Sequence, residues 1–146
     1  MAKRETPSQR RRRKHREYAD SRDSWFASLP PEVQVCWKCG EYRWDRLECE
    51  HMSHGRAMSP RAVCDPRVFV LLCRVCHREI TGWSQKDALL LCFRLKRNFD
   101  PYRYDRFGVL SLYGLANTYL EESELGSGEE FRATLKRWKL GDYSPD

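Results

Sequence analysis

The chain has 146 residues, 40% apolar and 33% charged, which suits one domain with extensions around a core small enough to need a metal, a disulfide or a partner. Its formal charge of +6 sits in residues 1 to 17, where eight basic side chains stand against two acidic ones, and the remainder balances at 19 against 19. The longest apolar runs, 68–73 and 88–93, are too short to span a bilayer, and no apolar stretch follows the basic N-terminus as in a secretory leader. Composition therefore argues against a membrane partner and predicts a cytoplasmic, reducing location.

Residues 1–22 carry almost no apolar side chains and are expected to be a disordered basic arm, or a helix formed only on a partner. Arg10, Arg11, Arg12, Arg13 and Lys14 suit phosphate contact, because each cation that neutralises a phosphate releases condensed counterions. A solubilising tail and a targeting signal are the competing readings of the same tract.

Trp25, Phe26 and Leu29 are the first anchors, and Pro30-Pro31 breaks the chain behind them. Val33–Val35 is a short strand candidate, and Tyr42–Glu50 alternates as a second strand. Residues 52–67, broken by Gly55, Pro60 and Pro66, are expected to form a loop with about one helical turn. Val68–Leu72 predicts a buried strand, and Cys73–Thr81 a short helix stopped by Gly82.

Ser84 with Asp87 three residues on resembles a capping box, opening a helix to about Asn98 with Leu89, Leu90 and Phe93 on an apolar face and Lys96 and Arg97 on a basic one. Helices are further predicted over 112–122 and 129–140, joined through Gly126-Ser127-Gly128, with Phe131, Leu135 and Trp138 on one stripe. The division expected is an arm at 1–22, a metal-bound domain at 23–98 and a helical extension at 99–146.

Four of the seven cysteines form two pairs: Cys36-x2-Cys39, thirty-three residues, then Cys73-x2-Cys76. Two thiolates three positions apart converge on one tetrahedral ion, and two such pairs close the site. The reading is one structural Zn2+, whose binding ties two distant segments together. Cys49, Cys64 and Cys92 read as small buried hydrophobes. A closed tetrathiolate site has no open position, so any chemistry must come from neighbouring residues.

Those neighbours are Glu50, His51, His54, Asp65 and His77. The segments Leu-Glu-Cys-Glu-His-Met at 47–52 and Asp-Pro-Arg-Val-Phe-Val-Leu-Leu-Cys-Arg-Val-Cys-His at 65–77 resemble the HNH (His-Asn-His) endonucleases, with their zinc-stapled ββα-metal fold. The resemblance covers roughly 35–82, under half of the chain. It implies an α+β HNH-like core with added C-terminal helices, and a metal-dependent DNA endonuclease that hydrolyses phosphodiester bonds. By the same resemblance His51 is the general base, and Glu50 and His77 hold a catalytic Mg2+ or another divalent ion.

The division of labour is physically coherent: a histidine takes a water proton near neutral pH, and a cation stabilises charge on the phosphate and the leaving oxygen. Arg56, Arg61, Arg74 and Arg78 are the candidates for gripping phosphates near that site. Trp37 and Trp44, beside the first cysteine pair, are the tryptophans to test for DNA contact.

One departure stands out. The family's middle Asn, which orients the base, aligns with Val68, and no Asn lies between His51 and His77. Valine accepts no hydrogen bond, so Asp65 or a backbone carbonyl must orient the imidazole. The alternatives are a catalytically weak or inactive HNH-derived zinc module that binds nucleic acid, and an adaptor that binds a protein partner through its C-terminal helices. Residues 117–146 hold seven acidic and four basic side chains, which argues against that end lying on DNA.

Overall fold

The computed structural model describes residues 3–52 and 60–126, and of Pro60 and Arg61 the backbone only. Within them the chain is mixed α and β: helices α1 (Pro7–Ser28), α2 (Pro60–Val63), α3 (Arg74–Thr81), α4 (Gln85–Phe99) and α5 (Arg106–Leu112), with strands β1 (Leu47–His51) and β2 (Phe69–Cys73). The strands form a two-stranded antiparallel sheet that pairs Leu47 with Cys73 and His51 with Phe69. Among the described residues no helix is long and apolar enough to cross a membrane.

Of residues 1–22, expected to be disordered or to form a helix only on a partner, 7–22 are corrected from disorder to part of one helix, Pro7–Ser28. Thr6 caps it, accepting from the Gln9 amide at 3.1 Å while the Gln9 side chain accepts from the Thr6 amide at 2.9 Å. Residues 7–17 are exposed, and anchoring starts at Tyr18, which is half-buried, and at Trp25 and Leu29, which are buried. Tyr18, Arg22, Trp25 and Leu29 recur at helical spacing, so a sparse stripe suffices to seat the C-terminal half on the core.

Two strand expectations also change. Pro31–Val33 is a 3-10 turn, as the proline pair dictates, and the second strand begins only at Leu47, after a 3-10 turn over Trp44–Arg46. β2 is buried along its whole length, as a continuous apolar run requires. α3 ends at Gly82, and α4 starts with the Ser84 side chain accepting from the Asp87 amide at 3.2 Å.

α4 departs from the expected two-faced helix at Lys96, which is fully buried. Its ammonium donates to the Pro66 carbonyl at 2.7 Å and the Phe69 carbonyl at 2.8 Å, and it pairs with Asp100 at 2.8 Å. The Trp25 indole donates to the same carboxylate at 2.9 Å, so α1, β2 and α4 meet on one polar network.

The helix predicted over 112–122 does not form: α5 ends at Leu112, 113–121 are turns and irregular chain, and a 3-10 turn follows over Glu122–Leu125, while α5 itself is capped by Asp105 accepting from the Gly108 amide at 3.0 Å. Val109, Leu110, Leu120 and Leu125 belong to the same core as Trp25 and Trp37, so packing is continuous across position 98. Arg94 and Arg97 donate to the carbonyls of Glu124, Leu125 and Gly126 and tie that segment to α4. The helix predicted over 129–140 lies outside the described residues.

Candidate metal centre

Cys36 and Cys39 sit on a turn closed by hydrogen bonds from the Cys36 amide to the Glu41 carbonyl, 2.7 Å, and from the Gly40 amide to the Cys36 carbonyl, 2.8 Å. Gly40 holds φ at 84°, the left-handed region that a glycine enters without steric cost. The Trp37 amide donates to the Leu71 carbonyl at 2.9 Å, which pins the turn to β2. Cys73 ends β2 and caps α3, its sulfur accepting from the Cys76 amide at 3.5 Å, so the strand-to-helix corner brings the second pair round.

The four sulfurs lie within 4.8 Å of one another. Cys39 Sγ and Cys73 Sγ stand 3.7 Å apart. A disulfide would need about 2.05 Å. Four thiolates about 2.3 Å from a tetrahedral zinc would lie about 3.8 Å apart. The cluster therefore has the spacing of a zinc site. Burial first, then the neighbouring cysteine sulfurs, pushes the Cys36 thiol up to about 11 and the Cys76 thiol higher still, so a cation is what would hold these two sulfurs as thiolates. Of the other cysteines, Cys92 is buried, and Cys49 and Cys64 are half-buried.

Beside this clip is a second cluster. Glu48, Glu50 and His77 each offer one ligand atom within 4.8 Å of the others. His77 Nδ1 lies 3.3 Å from Glu48 and Nε2 lies 3.2 Å from Glu50. β1 puts alternate residues on one face, so Glu48 and Glu50 both turn toward α3, which carries His77 one residue after Cys76. Burial first, then the hydrogen bond and charge of Glu48, pushes the Glu50 carboxyl up to about 8. Two half-buried carboxylates and an imidazole form a donor set of oxygen and nitrogen that suits a hard divalent cation.

His51 points the other way, with Leu47 and Cys49. Its ring stacks on Tyr18 of α1 at 5.1 Å and 24°, and Nε2 lies 3.0 Å from the Val63 carbonyl. A carbonyl only accepts, so Nε2 carries the hydrogen and Nδ1 keeps the lone pair. Burial draws the His51 pKa below its ordinary value. The Tyr18 hydroxyl donates to the Cys49 carbonyl at 3.4 Å.

Asp65, expected as a stand-in for the missing Asn, does not reach His51. Its carboxylate accepts from the Arg67 amide at 3.0 Å and from the guanidinium at 2.8 Å, and Arg67 in turn donates to Asp105 at 2.7 Å. The carbonyl of Val63 orients the ring instead. Val68, at the Asn position, is fully buried.

Among the arginines, Arg74 is exposed and donates to Glu48 at 3.1 Å, and Arg78 is exposed on α3. Arg56 and His54 lie outside the described residues, as does the Arg61 side chain. Arg10, Arg11, Arg12, Arg13 and Lys14 are exposed on α1, with Arg13 paired to Glu5 and Glu17 at 2.9 Å each. Trp37, a candidate for DNA contact, is instead fully buried and stacks on Phe99 at 5.4 Å and 7°, while Trp44 is 68% exposed.

Sequence reasoning missed Glu48 and Tyr18. Glu48 was within reach, because a residue two positions before Glu50 on a strand shares its face. Tyr18 was hidden by the polar composition of its surroundings. No protein-family model, curated protein or solved structure matches the chain.

Proposed function

We propose that the chain is a metal-dependent DNA endonuclease of the HNH type, built on a structural zinc clip. The observation that carries this reading is the meeting of Glu48, Glu50 and His77 beside the four cysteines, with His51 on the next residue of the same strand. The ββα-metal core is then the hairpin β1–β2 followed by α3, stapled at its base by Cys36, Cys39, Cys73 and Cys76.

Glu50 and His77, with Glu48 as a third ligand, would hold Mg2+ or a similar ion. Such an ion supplies charge stabilisation at the scissile phosphate and the leaving oxygen. The chain's own residues do the rest. His51 Nδ1 removes a proton from the attacking water while the Val63 carbonyl fixes Nε2–H and the Tyr18 ring fixes the imidazole plane. Glu50 and His51 are the last two residues of β1 and emerge on opposite faces, so a phosphate held by both would lie across the end of the strand. Arg11 and Lys14 continue the Tyr18 stripe of α1 seven and four residues upstream, where they can take flanking phosphates.

Supercoiled plasmid with Mg2+ or Mn2+ tests the reading. The wild type is expected to nick it, and His51→Ala to lose at least about 100-fold in rate, the usual range for a general base. If neither protein nicks but both shift DNA with a steep salt dependence, the chain is a nucleic-acid-binding module without catalysis. The half-burial of His51 against Tyr18 is the observation that favours this second reading.

A further inference from the structure

Between α1 and the His51 face of the sheet lies a cavity of about 320 Å³, lined among others by Arg22, Asp23, Phe26, Trp44, Leu47 and Cys49. None of these residues is used by the cleavage scheme. We propose that this cavity receives one unstacked nucleobase of the nucleic-acid substrate. The proposal rests on the nuclease reading for its substrate class and extends it to a single-stranded or extruded nucleotide beside the cut.

Three features point to a base. The first is the wall. Trp44 lines the cavity with 68% of its surface exposed and meets Phe26 at right angles at 6.0 Å and 87°, so most of the indole is accessible to a planar partner. Base–aromatic stacking tolerates every base, because each has a π face.

The second is the rim. Arg22 and Asp23 stand 3.6 Å apart at the mouth, a donor beside an acceptor, which is what the edge of a base presents in reverse. The floor, Leu47 and Cys49, is apolar, so the site is a mostly apolar recess with a few polar groups on one side, the usual build of a small-molecule pocket.

The third is position. Leu47, Cys49 and His51 are alternate residues of β1 and share a face, so the cavity and the imidazole lie on the same side of the sheet, about 7 Å per two residues of strand apart, with Tyr18 between them on His51. The basic half of α1 is continuous with the helix that supplies Arg22, Asp23 and Phe26. A strand tracked by Arg11 and Lys14 and cut at His51 has its neighbouring base delivered to this recess.

The test compares binding of a labelled single-stranded 12-mer and a fully paired 12-mer to wild type, Trp44→Ala and Trp44→Phe, without added divalent ion. Zinc content and thermal unfolding of each variant verify the fold, and plasmid nicking is assayed in parallel. The expected result is a loss of about tenfold in single-strand affinity for Trp44→Ala, recovery in Trp44→Phe, and a change under about twofold for the duplex. Equal affinities across the three proteins, or equal losses for both oligonucleotides, overturn the proposal. So does a fall in Tm for Trp44→Ala with both affinities unchanged, which would mean that the cavity seats part of this chain. His51-dependent nicking without the Trp44 effect removes the base pocket and leaves the nuclease. The Trp44 effect without nicking removes the nuclease and leaves the pocket.

Discussion

Lys96 in the last turn of α4 and Asp100, the residue that caps its C-terminus, form an ion pair of 2.8 Å in the interior of the protein. Burial pulls the Lys96 amine down to about 8, still above neutrality, and the Lys96 charge and the Trp25 indole hold the Asp100 carboxyl below its ordinary value. The ammonium also lies 4.8 Å from the centre of the Trp25 ring. The pair is fully hydrogen-bonded, which is the condition for tolerating buried charge.

Removing one partner leaves the other charge stranded. Lys96→Met is expected to lose about 3–5 kcal/mol of stability in denaturant unfolding, and Lys96→Met with Asp100→Leu to lose less than the single variant. A loss under about 1 kcal/mol for Lys96→Met would mean that the network contributes little.

The same carboxylate sets an acid limit. A depressed carboxyl pKa gives stability that is present above its unfolded value, near 3.8, and is lost as pH falls through the lower folded value. Wild type should therefore lose stability below about pH 4 faster than Asp100→Asn, and the gap between them should narrow as the solution is acidified, measured by thermal unfolding from pH 6 to 2.

Arg67 bridges Asp65 and Asp105 at 2.8 and 2.7 Å. A side chain at Gly108 would run into both Arg67 Nη1 and Asp105 Oδ2. Gly108→Ala, which in an ordinary helix stabilises, is expected here to cost about 1 kcal/mol by prising this bridge apart. Because Asp65 is committed to Arg67, Asp65→Ala should lower stability by about 1 kcal/mol and leave the nicking rate within about threefold of wild type. A 100-fold fall in rate would restore Asp65 to the catalytic list.

Tyr18 shields the His51 ring, and burial is the first cause of its lowered pKa. Exposing the ring by Tyr18→Ala should bring the pKa back up toward 6.5, whereas Tyr18→Phe, which keeps the stack, should not, as followed by NMR titration of the imidazole. The neutral form is the base, so the acid limb of any nicking profile should move to higher pH in Tyr18→Ala alone. Identical titrations in all three proteins would exclude Tyr18 as the shield.

What the sequence made legible was local. The Cys-x2-Cys spacings, the run Val68–Leu72, the Gly82 stop and the Ser84 cap all depend on neighbours within a few residues, and each reappears in the structure. What escaped depends on distant partners. Lys96 looks like a surface lysine until two carbonyls of the 66–69 segment and a carboxylate enclose it. α1 looks unstructured because only a few of its side chains carry its attachment. At the site, Glu50 and His77 come together as the family resemblance implied, whereas Val63 is a backbone partner that no residue type could announce.

Zinc absorption spectroscopy on the purified protein tests the central claim most directly, because every site argument depends on the clip that holds α3 against β1. The account predicts one zinc per chain with four sulfur neighbours at about 2.3 Å. A protein that folds without zinc, or a zinc bound by nitrogen and oxygen in place of the four thiolates, would contradict it.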